Sequence, residues 1–156
     1  MVKDSVKCLK VHLVRKKRID GMRIKDFVES CDESRVYLLD IDPYFGREMN
    51  FKVYQELAGI YDLWIDAAPR RVEDVMDSLI SDAELAVITG VYFWDSYEEL
   101  FEITDNVAMK SIFPNHISEF VKAGGKIIIV PKNMTTVSNG GEVYEFRGRE
   151  VCPWKP

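Results

Sequence analysis

Three aspartates that follow short apolar segments are the residues of this chain best suited to chemistry. Asp40 and Asp42 end the segment RVYLLDID, and Asp66 ends YDLWID. If these segments are neighbouring parallel strands, their carboxyl ends meet at one edge of the sheet, and the three carboxylates can lie close together. Such a group could hold a hard cation or raise one carboxyl pKa enough for proton transfer. The alternative is that each aspartate accepts hydrogen bonds from the next turn or caps a helix.

Three further residues belong with the aspartates because they also follow predicted strands. Arg70 and Arg71 lie at the start of a predicted helix, where the helix dipole favours an anion, although both could simply be exposed first-turn residues. Gly90 follows the apolar segment 85–88. We therefore predict a binding site for a small phosphorylated molecule, formed by Asp40, Asp42, Asp66, Arg70 and Gly90. We expect neither a metal nor a cofactor.

The elements that must position these residues are a run of alternating strands and helices over residues 35–90. Segments 36–39, 63–65 and 85–88 are almost continuously apolar, which is typical of parallel strands buried on both faces. Apolar residues that recur every three or four positions in 51–58 and 72–80 predict two amphipathic helices. Asn50 is expected as the N-cap of the first helix and Gly59 as its end. The pattern predicts a βαβαβ unit.

The rest of the chain continues this alternation and then changes. We expect a first strand at 9–14, a helix at 24–30, a capping box at 95–98, a strand at 107–113, a helix at 115–123 and a strand at 126–130. Residues 131–141 are expected to form a loop, and 142–152 an antiparallel hairpin at a sheet edge. The prediction is one α/β domain over 1–156, with a mainly parallel sheet of about five or six strands, either open or a part-barrel.

The composition of the chain limits the classes of partner that we expect it to bind. The 156 residues carry a formal charge of −5, and we expect no nucleic-acid or membrane partner. The basic run 15–18 is interpreted as an exposed turn, with phosphate binding as the alternative. Cys8, Cys31 and Cys152 show no paired spacing, so neither a disulfide framework nor a zinc ribbon is expected, and a cytoplasmic location fits. Two histidines are too few for a histidine-rich metal site.

Residues 35–90 resemble the phosphoribosyl isomerase barrels of histidine biosynthesis, especially uncharacterised relatives of the formimino-aminoimidazole-carboxamide ribotide isomerase. The segments that carry the likeness are Leu39-Asp40-Ile41-Asp42, Asn50-Phe51, Asp66-Ala67-Ala68-Pro69-Arg70 and Val72-Glu73-Asp74-Val75. The resemblance implies an eight-stranded barrel, a phosphate-binding turn at 66–70 and an aldose-to-ketose isomerisation. It also implies catalytic aspartates at the ends of the first and fifth strands.

The departures from this family are as informative as the likeness. The chain is shorter than the roughly 200 residues of the smallest such barrels. Its predicted first strand has no carboxylate, and its fifth offers Lys110 and Ser111. Alanines and a proline replace the glycines of the phosphate turn. We therefore expect no isomerase activity.

Two functional hypotheses follow. The first is a binder of a small phosphorylated ligand at the strand ends. The second is a non-catalytic scaffold that oligomerises or binds a partner. A homodimer is expected because a part-barrel has exposed strand edges.

Overall fold

The computed structural model of the chain describes residues 8–132, 134 and 141–154. The strands within these residues are β1 (Leu9–Arg15), β2 (Arg18–Ile19), β3 (Arg35–Asp40), β4 (Asp62–Asp66), β5 (Leu85–Thr89), β6 (Val107–Lys110), β7 (Ile127–Pro131), β8 (Glu142–Arg147) and β9 (Glu150–Pro153). The helices are α1 (Ile24–Ser30), α2 (Phe51–Ala58), α3 (Val72–Ile80), α4 (Tyr97–Phe101) and α5 (Pro114–Lys122), with a 3₁₀-helix at Pro43–Phe45.

The strands close into a barrel. β1 and β3 to β8 are parallel to one another in that order, and β9 pairs antiparallel with both β8 and β1. Eight strands therefore form the barrel, while β2 pairs only with the end of β1 as a short hairpin arm. The carboxyl ends of the seven parallel strands open at one end of the barrel, which is where α/β barrels place their sites.

The α/β class and the mainly parallel sheet are confirmed, but the expected strand number and the open or part-barrel form were wrong. The predicted hairpin at 142–152 exists as β8 and β9, yet it does not lie at an edge: β8 also pairs in parallel with β7, and β9 with β1. The barrel fits into this length because its helices are short, from five to nine residues. The described residues after α5 contain no helix.

Side chains fill both the barrel and its outer layer. Inside the barrel lies a cluster that includes Val11, Tyr37, Trp64, Val87 and Ile129. Two further clusters lie between the strands and the helices, one under α1 and α2 and the other under α3, α4 and α5. Because successive side chains of a strand point to opposite faces, each strand residue is directed either into the barrel or toward the helices.

Most of the predicted elements are confirmed, with corrections at their ends. The helix expected at 24–30 is α1, and Gly59 ends α2 as expected. Asn50 precedes α2, but its side chain does not cap the helix. The N-cap of α4 is Ser96, whose hydroxyl accepts from the N–H of Glu99, so the predicted capping box was displaced by one residue. The expected strand 107–113 ends at 110. Most of the expected loop, residues 133 and 135–140, lies outside the described residues.

Cys8 and Cys152 form a disulfide across 144 residues of sequence, so the expectation of no disulfide was wrong. Cys152 belongs to β9 and Cys8 immediately precedes β1, and these two strands meet only because the barrel closes. No local spacing could predict this pair. Disulfides are typical of oxidising compartments and of intracellular hyperthermophile proteins, so the cytoplasmic location stays a prediction.

Closure of the barrel also bears on the expected partners. β1 and β9 pair within one chain, so the barrel has no exposed edge and the argument that led to a homodimer no longer applies. The homodimer itself stays a prediction. None of the helices in the described ranges has the length and apolar character needed to cross a bilayer.

Candidate ligand-binding site

A buried polar network lies at the carboxyl end of the barrel, centred on Asp66. This aspartate is the last residue of β4, is fully buried and points into the barrel. Its carboxylate accepts hydrogen bonds from the hydroxyl of Tyr37 at 2.6 Å, the hydroxyl of Tyr44 at 2.5 Å and the ammonium of Lys110 at 2.5 Å. The ammonium also donates to the hydroxyl of Tyr44 at 3.0 Å. Every polar atom of this network therefore has a partner within it.

Strand register explains why these residues meet. Asp66 pairs with Leu39 of β3, two residues beyond Tyr37, so Tyr37 lies one layer below it inside the barrel. Lys110 is the last residue of β6 and follows Ala108, another interior residue, by two positions. Its side chain therefore also points inward and reaches past β5, the one strand between β4 and β6, to Asp66. Tyr44 enters from above, from the 3₁₀-helix that follows β3.

Electrostatics keep both phenols protonated. Burial raises the pKa of Tyr37 and Tyr44 far above the usual value, and the neighbouring charge of Asp66 raises it further. Both hydroxyls are therefore donors to the carboxylate at neutral pH. The ammonium of Lys110 lies 5.3 Å from the ring centre of Tyr44 and 5.4 Å from that of Phe146, within the range of cation–π attraction. The lysine is thus held in one position by a carboxylate and two aromatic faces.

A cavity of about 400 Å³ opens next to this lysine. Its walls are mostly apolar and come from the ends of β5 to β8 and the loops after them, including Val91, Ile112, Pro131 and Phe146. The side chain of Lys110 is 21% exposed, whereas Asp66 behind it is fully buried. Cavities of this size and lining are typical of small-molecule sites, in which a few polar groups fix the ligand.

A second cavity, of about 530 Å³, lies beside the end of β1. Leu13 and Ile41 form its apolar part, and the cationic residues Arg15, Lys16, Arg18 and Arg149 surround it with one acidic residue, Asp20. Arg15 follows the interior residue Val11 by four positions, so it projects from β1 at the mouth of the barrel. The basic run at 15–18 is the turn between β1 and β2, as one interpretation of the sequence expected, and it also contributes cations to this cavity.

Asp40 does not join the network around Asp66. It follows the outward-facing Leu38 by two positions and points toward α2. Its carboxylate accepts hydrogen bonds from the backbone and side-chain amides of Asn50, each at 2.8 Å, and from the hydroxyl of Tyr54. Burial raises the pKa of Asp40, and these hydrogen bonds offset only part of that effect. Asp40 therefore anchors the start of α2.

Asp42 lies next to Asp40 and holds the neighbouring turns. It accepts from the side chain of Asn50 at 3.0 Å, from the backbone N–H of Lys16 at 2.8 Å and from Arg47 at 3.3 Å. Burial alone would raise the pKa of Asp42, but these hydrogen bonds outweigh it and lower the pKa. The three predicted aspartates thus divide: Asp40 and Asp42 meet at Asn50 outside the barrel, and Asp66 is inside it.

Arg70 and Gly90 lie at the same end of the barrel but outside the network. The guanidinium of Arg70 donates to the carbonyl of Pro43 at 3.2 Å and lies 5.3 Å from the ring centre of Tyr92. Tyr92 in turn packs edge-on against Tyr44, which links Arg70 indirectly to the network. A Cβ on Gly90 would lie 2.3 Å from the ring of His116, so this glycine permits close packing of α5. Neither residue lines the cavity at Lys110.

The sequence offered only partial signals for this site. Lys110 ends an apolar strand just as Asp66 does, but the resemblance to the isomerases marks it only as the residue that replaces a catalytic carboxylate. A charged residue at an interior position of a strand end was the signal that could have identified it. Tyr37 lies inside an apolar run, and Tyr44 follows a proline, so neither position distinguishes a functional tyrosine from a core residue.

Fold and site together define an α/β barrel with a lysine–aspartate pair at the carboxyl ends of its strands and cavities beside β1 and beside Lys110. No protein-family model and no curated protein matches the chain. The closed barrel is the architecture that the likeness of residues 35–90 to phosphoribosyl isomerases implies, but kinship with them stays a prediction.

Proposed function

We propose that this protein binds a small phosphorylated molecule at the carboxyl ends of its barrel strands, with Lys110 as the residue that contacts it. The observation that carries the proposal is the placement of one ammonium group at the edge of an apolar cavity, fixed from behind by the buried carboxylate of Asp66. A fixed cation beside an apolar wall suits a ligand that has an anionic or carbonyl oxygen and a less polar body.

Lysine has three donor hydrogens, and two are directed at Asp66 and Tyr44. The third is available for an oxygen of the ligand. Because the carboxylate and the aromatic rings already hold the ammonium, little side-chain entropy is lost when the ligand binds. Preorganisation of this kind favours a binding role for Lys110 over a purely structural one.

The charges at the barrel mouth support an anionic ligand. The first barrel strand, β1, ends in Arg15, and the fifth, β6, ends in Lys110. The resemblance to the isomerases implies an aspartate at each of these two strand ends. The second cavity adds Lys16, Arg18 and Arg149. This reversal of charge removes the two carboxylates of the isomerase mechanism, so we do not propose isomerisation. It supplies cations suited to phosphate.

Thermal unfolding tests the proposal with ribose 5-phosphate, inorganic phosphate and ribose as probes. A ligand at about 100 times its Kd stabilises the native state by about 2.7 kcal/mol, which corresponds to a rise in Tm of roughly 5–10 °C for a chain of this size. We expect this rise with ribose 5-phosphate, a smaller one with inorganic phosphate and none with ribose. Equal shifts for ribose and its phosphate would contradict a role for the phosphate.

Variants assign the effect to Lys110. In Lys110→Met the rise should disappear, whereas Lys25→Met, which removes a lysine exposed on α1, should retain it. Lys110→Met leaves Asp66 without its cation and can destabilise the fold. The double variant Asp66→Asn, Lys110→Met removes both charges and should remain folded while showing no rise. An undiminished rise in the double variant would reject Lys110 as the binding residue.

The scaffold hypothesis has one supporting observation. Apolar side chains that follow β5 and β6 are exposed, including Trp94 at 69%, Ile112 at 61% and Val91 at 56%. Exposed apolar groups can mark a protein interface. Under this alternative, sedimentation should show a stable dimer whose assembly is weakened by Trp94→Ala and unaffected by Lys110→Met. A strictly monomeric protein would count against it.

A further inference from the structure

A second cluster of chemically distinctive side chains lies outside the barrel, far along the sequence from Asp66 and Lys110. His12 of β1 points outward beneath α1, and Cys31 and Glu33 lie in the segment between α1 and β3. One ligand atom from each of the three, an imidazole nitrogen, a thiol sulfur and a carboxylate oxygen, lies within 4.8 Å of the other two. His12 is buried, and the other two residues are half-buried.

The ring of His12 is held in a defined orientation. Its Nδ1 lies 2.7 Å from a carboxylate oxygen of Asp20, and its Nε2 lies 3.1 Å from Glu33 Oε1. The ring also packs edge-on against Phe27, with 4.9 Å between the ring centres. A histidine that binds a metal through one nitrogen commonly donates its other N–H to a carboxylate. Asp20 provides that carboxylate at Nδ1 and leaves Nε2 directed at Glu33, in the cluster that also contains Cys31.

The donor types select among metals. Thiolate and imidazole ligands favour zinc over magnesium or calcium, and a thiolate with a carboxylate balances the charge of a divalent ion. Three protein ligands leave a fourth tetrahedral position for water. Glu33 uses its other oxygen to pair with Lys10 at 3.6 Å, so Oε1 remains directed at the cluster.

We propose that His12, Cys31 and Glu33 bind a zinc ion, with Asp20 orienting His12. Zinc lies about 2.0–2.3 Å from its nitrogen, oxygen and sulfur ligands, so side-chain rotations that move ligand atoms by about 1 Å would complete the geometry. The ion would replace the direct contact between His12 and Glu33. It would join β1 to the segment that follows α1.

Cobalt substitution tests this site directly, because Co²⁺ reports both tetrahedral geometry and a thiolate ligand in its absorption spectrum. Titration of the full chain with Co²⁺ should produce visible bands of a tetrahedral site and a near-ultraviolet sulfur-to-cobalt charge-transfer band, and Zn²⁺ should displace both. Cys31→Ser should remove the charge-transfer band. The control is the double variant Cys8→Ser, Cys152→Ser, which should retain the band. It is needed because reduction of the Cys8–Cys152 disulfide would free two further thiols beside Glu150.

Affinity measurements separate the orienting residue from the ligands. Asp20→Asn should weaken metal binding by about 10- to 100-fold without removing the charge-transfer band. Asparagine suits this position because residue 20 has a left-handed backbone, with φ of 51°. His12→Ala removes the imidazole ligand and should also weaken metal binding. If that variant fails to fold, Glu33→Gln, at a half-buried position, should weaken metal binding and provides the same test. Absence of the band in the wild type, or its persistence in Cys31→Ser, would overturn the proposal.

Discussion

Residues of the same type at the ends of neighbouring strands have different roles in this protein. Asp40 and Asp66 each end an apolar strand, but one is directed toward α2 and the other into the barrel. The sequence predicted both strand ends correctly. It could not predict the division, because the side of the sheet on which a residue lies depends on the register set by barrel closure.

A double-mutant cycle tests the coupling of Asp66 and Lys110. Lys110→Met should lower the free energy of unfolding by about 3–5 kcal/mol, because it leaves a buried carboxylate without its cation. The double variant Asp66→Asn, Lys110→Met should lose less free energy of unfolding than the losses of Asp66→Asn and Lys110→Met added together. The difference, which is the coupling energy, should be about 1–3 kcal/mol. Urea unfolding at pH 7 measures all four proteins. Strict additivity would show that the pair is not coupled.

The stabilising effect of Asp42 should depend on pH in a defined direction. Hydrogen bonds lower its pKa in the folded protein below the unfolded value of about 3.9. Its contribution is therefore fully present above that value and is lost as the pH falls through the folded pKa. Asp42→Asn should be less stable than the wild type at pH 7 by about 1–3 kcal/mol, and the difference should narrow below roughly pH 4. A difference that stays constant between pH 7 and pH 2.5, measured by urea unfolding, would contradict this assignment.

Among the elements, the hairpin of β1 and β2 has a strained turn that hydrogen bonds from residues distant in sequence stabilise. Lys16 and Lys17 form its turn with φ of 48° and 65°, a left-handed conformation that suits glycine or asparagine better than lysine. Their backbone N–H groups donate to Asp42 at 2.8 Å and to Asn50 at 3.0 Å. The basic run predicted a turn, but nothing near it in the sequence indicated that Asp42 and Asn50 hold it.

Replacement of Lys17 by glycine should stabilise this hairpin. A left-handed residue with a side chain costs about 1–2 kcal/mol, and the greater freedom of glycine in the unfolded chain offsets about 0.5–1 kcal/mol of the gain. We expect Lys17→Gly to raise the free energy of unfolding by about 0.5–1 kcal/mol, and Lys25→Gly, inside α1, to lower it by a similar amount. A loss of stability in Lys17→Gly, measured by chemical denaturation, would show that the lysine side chain itself supports the turn.

For the whole molecule, closure of the barrel is the feature that sequence reasoning missed. Apolar strands and amphipathic helices have short-range sequence patterns. The strands β3 to β6 and the helices α2 and α3 could therefore be predicted from the amino-acid sequence alone. The pairing of β9 with β1 joins residues about 140 positions apart and leaves no periodic signal. Chain length argued against a barrel, because barrels usually have longer helices than the five to nine residues found here.

The disulfide between Cys8 and Cys152 should stabilise the closed barrel. A covalent link across 144 residues restricts the unfolded chain, and removal of such a link typically costs 2–5 kcal/mol. The double variant Cys8→Ser, Cys152→Ser should therefore unfold at lower urea concentration than the oxidised wild type and should match the wild type measured with a reducing agent. Equal stability of the oxidised and reduced wild type would show that closure does not depend on this bond.

If the lysine–aspartate pair at the barrel mouth forms a ligand site, calorimetric titration should detect binding that depends on this pair. Ribose 5-phosphate should release or absorb heat in a saturable manner with the wild type and with Lys25→Met. It should give no saturable heat with the folded double variant Asp66→Asn, Lys110→Met. The absence of binding to the wild type, or equal binding to the double variant, would show that Lys110 and Asp66 do not form a ligand site.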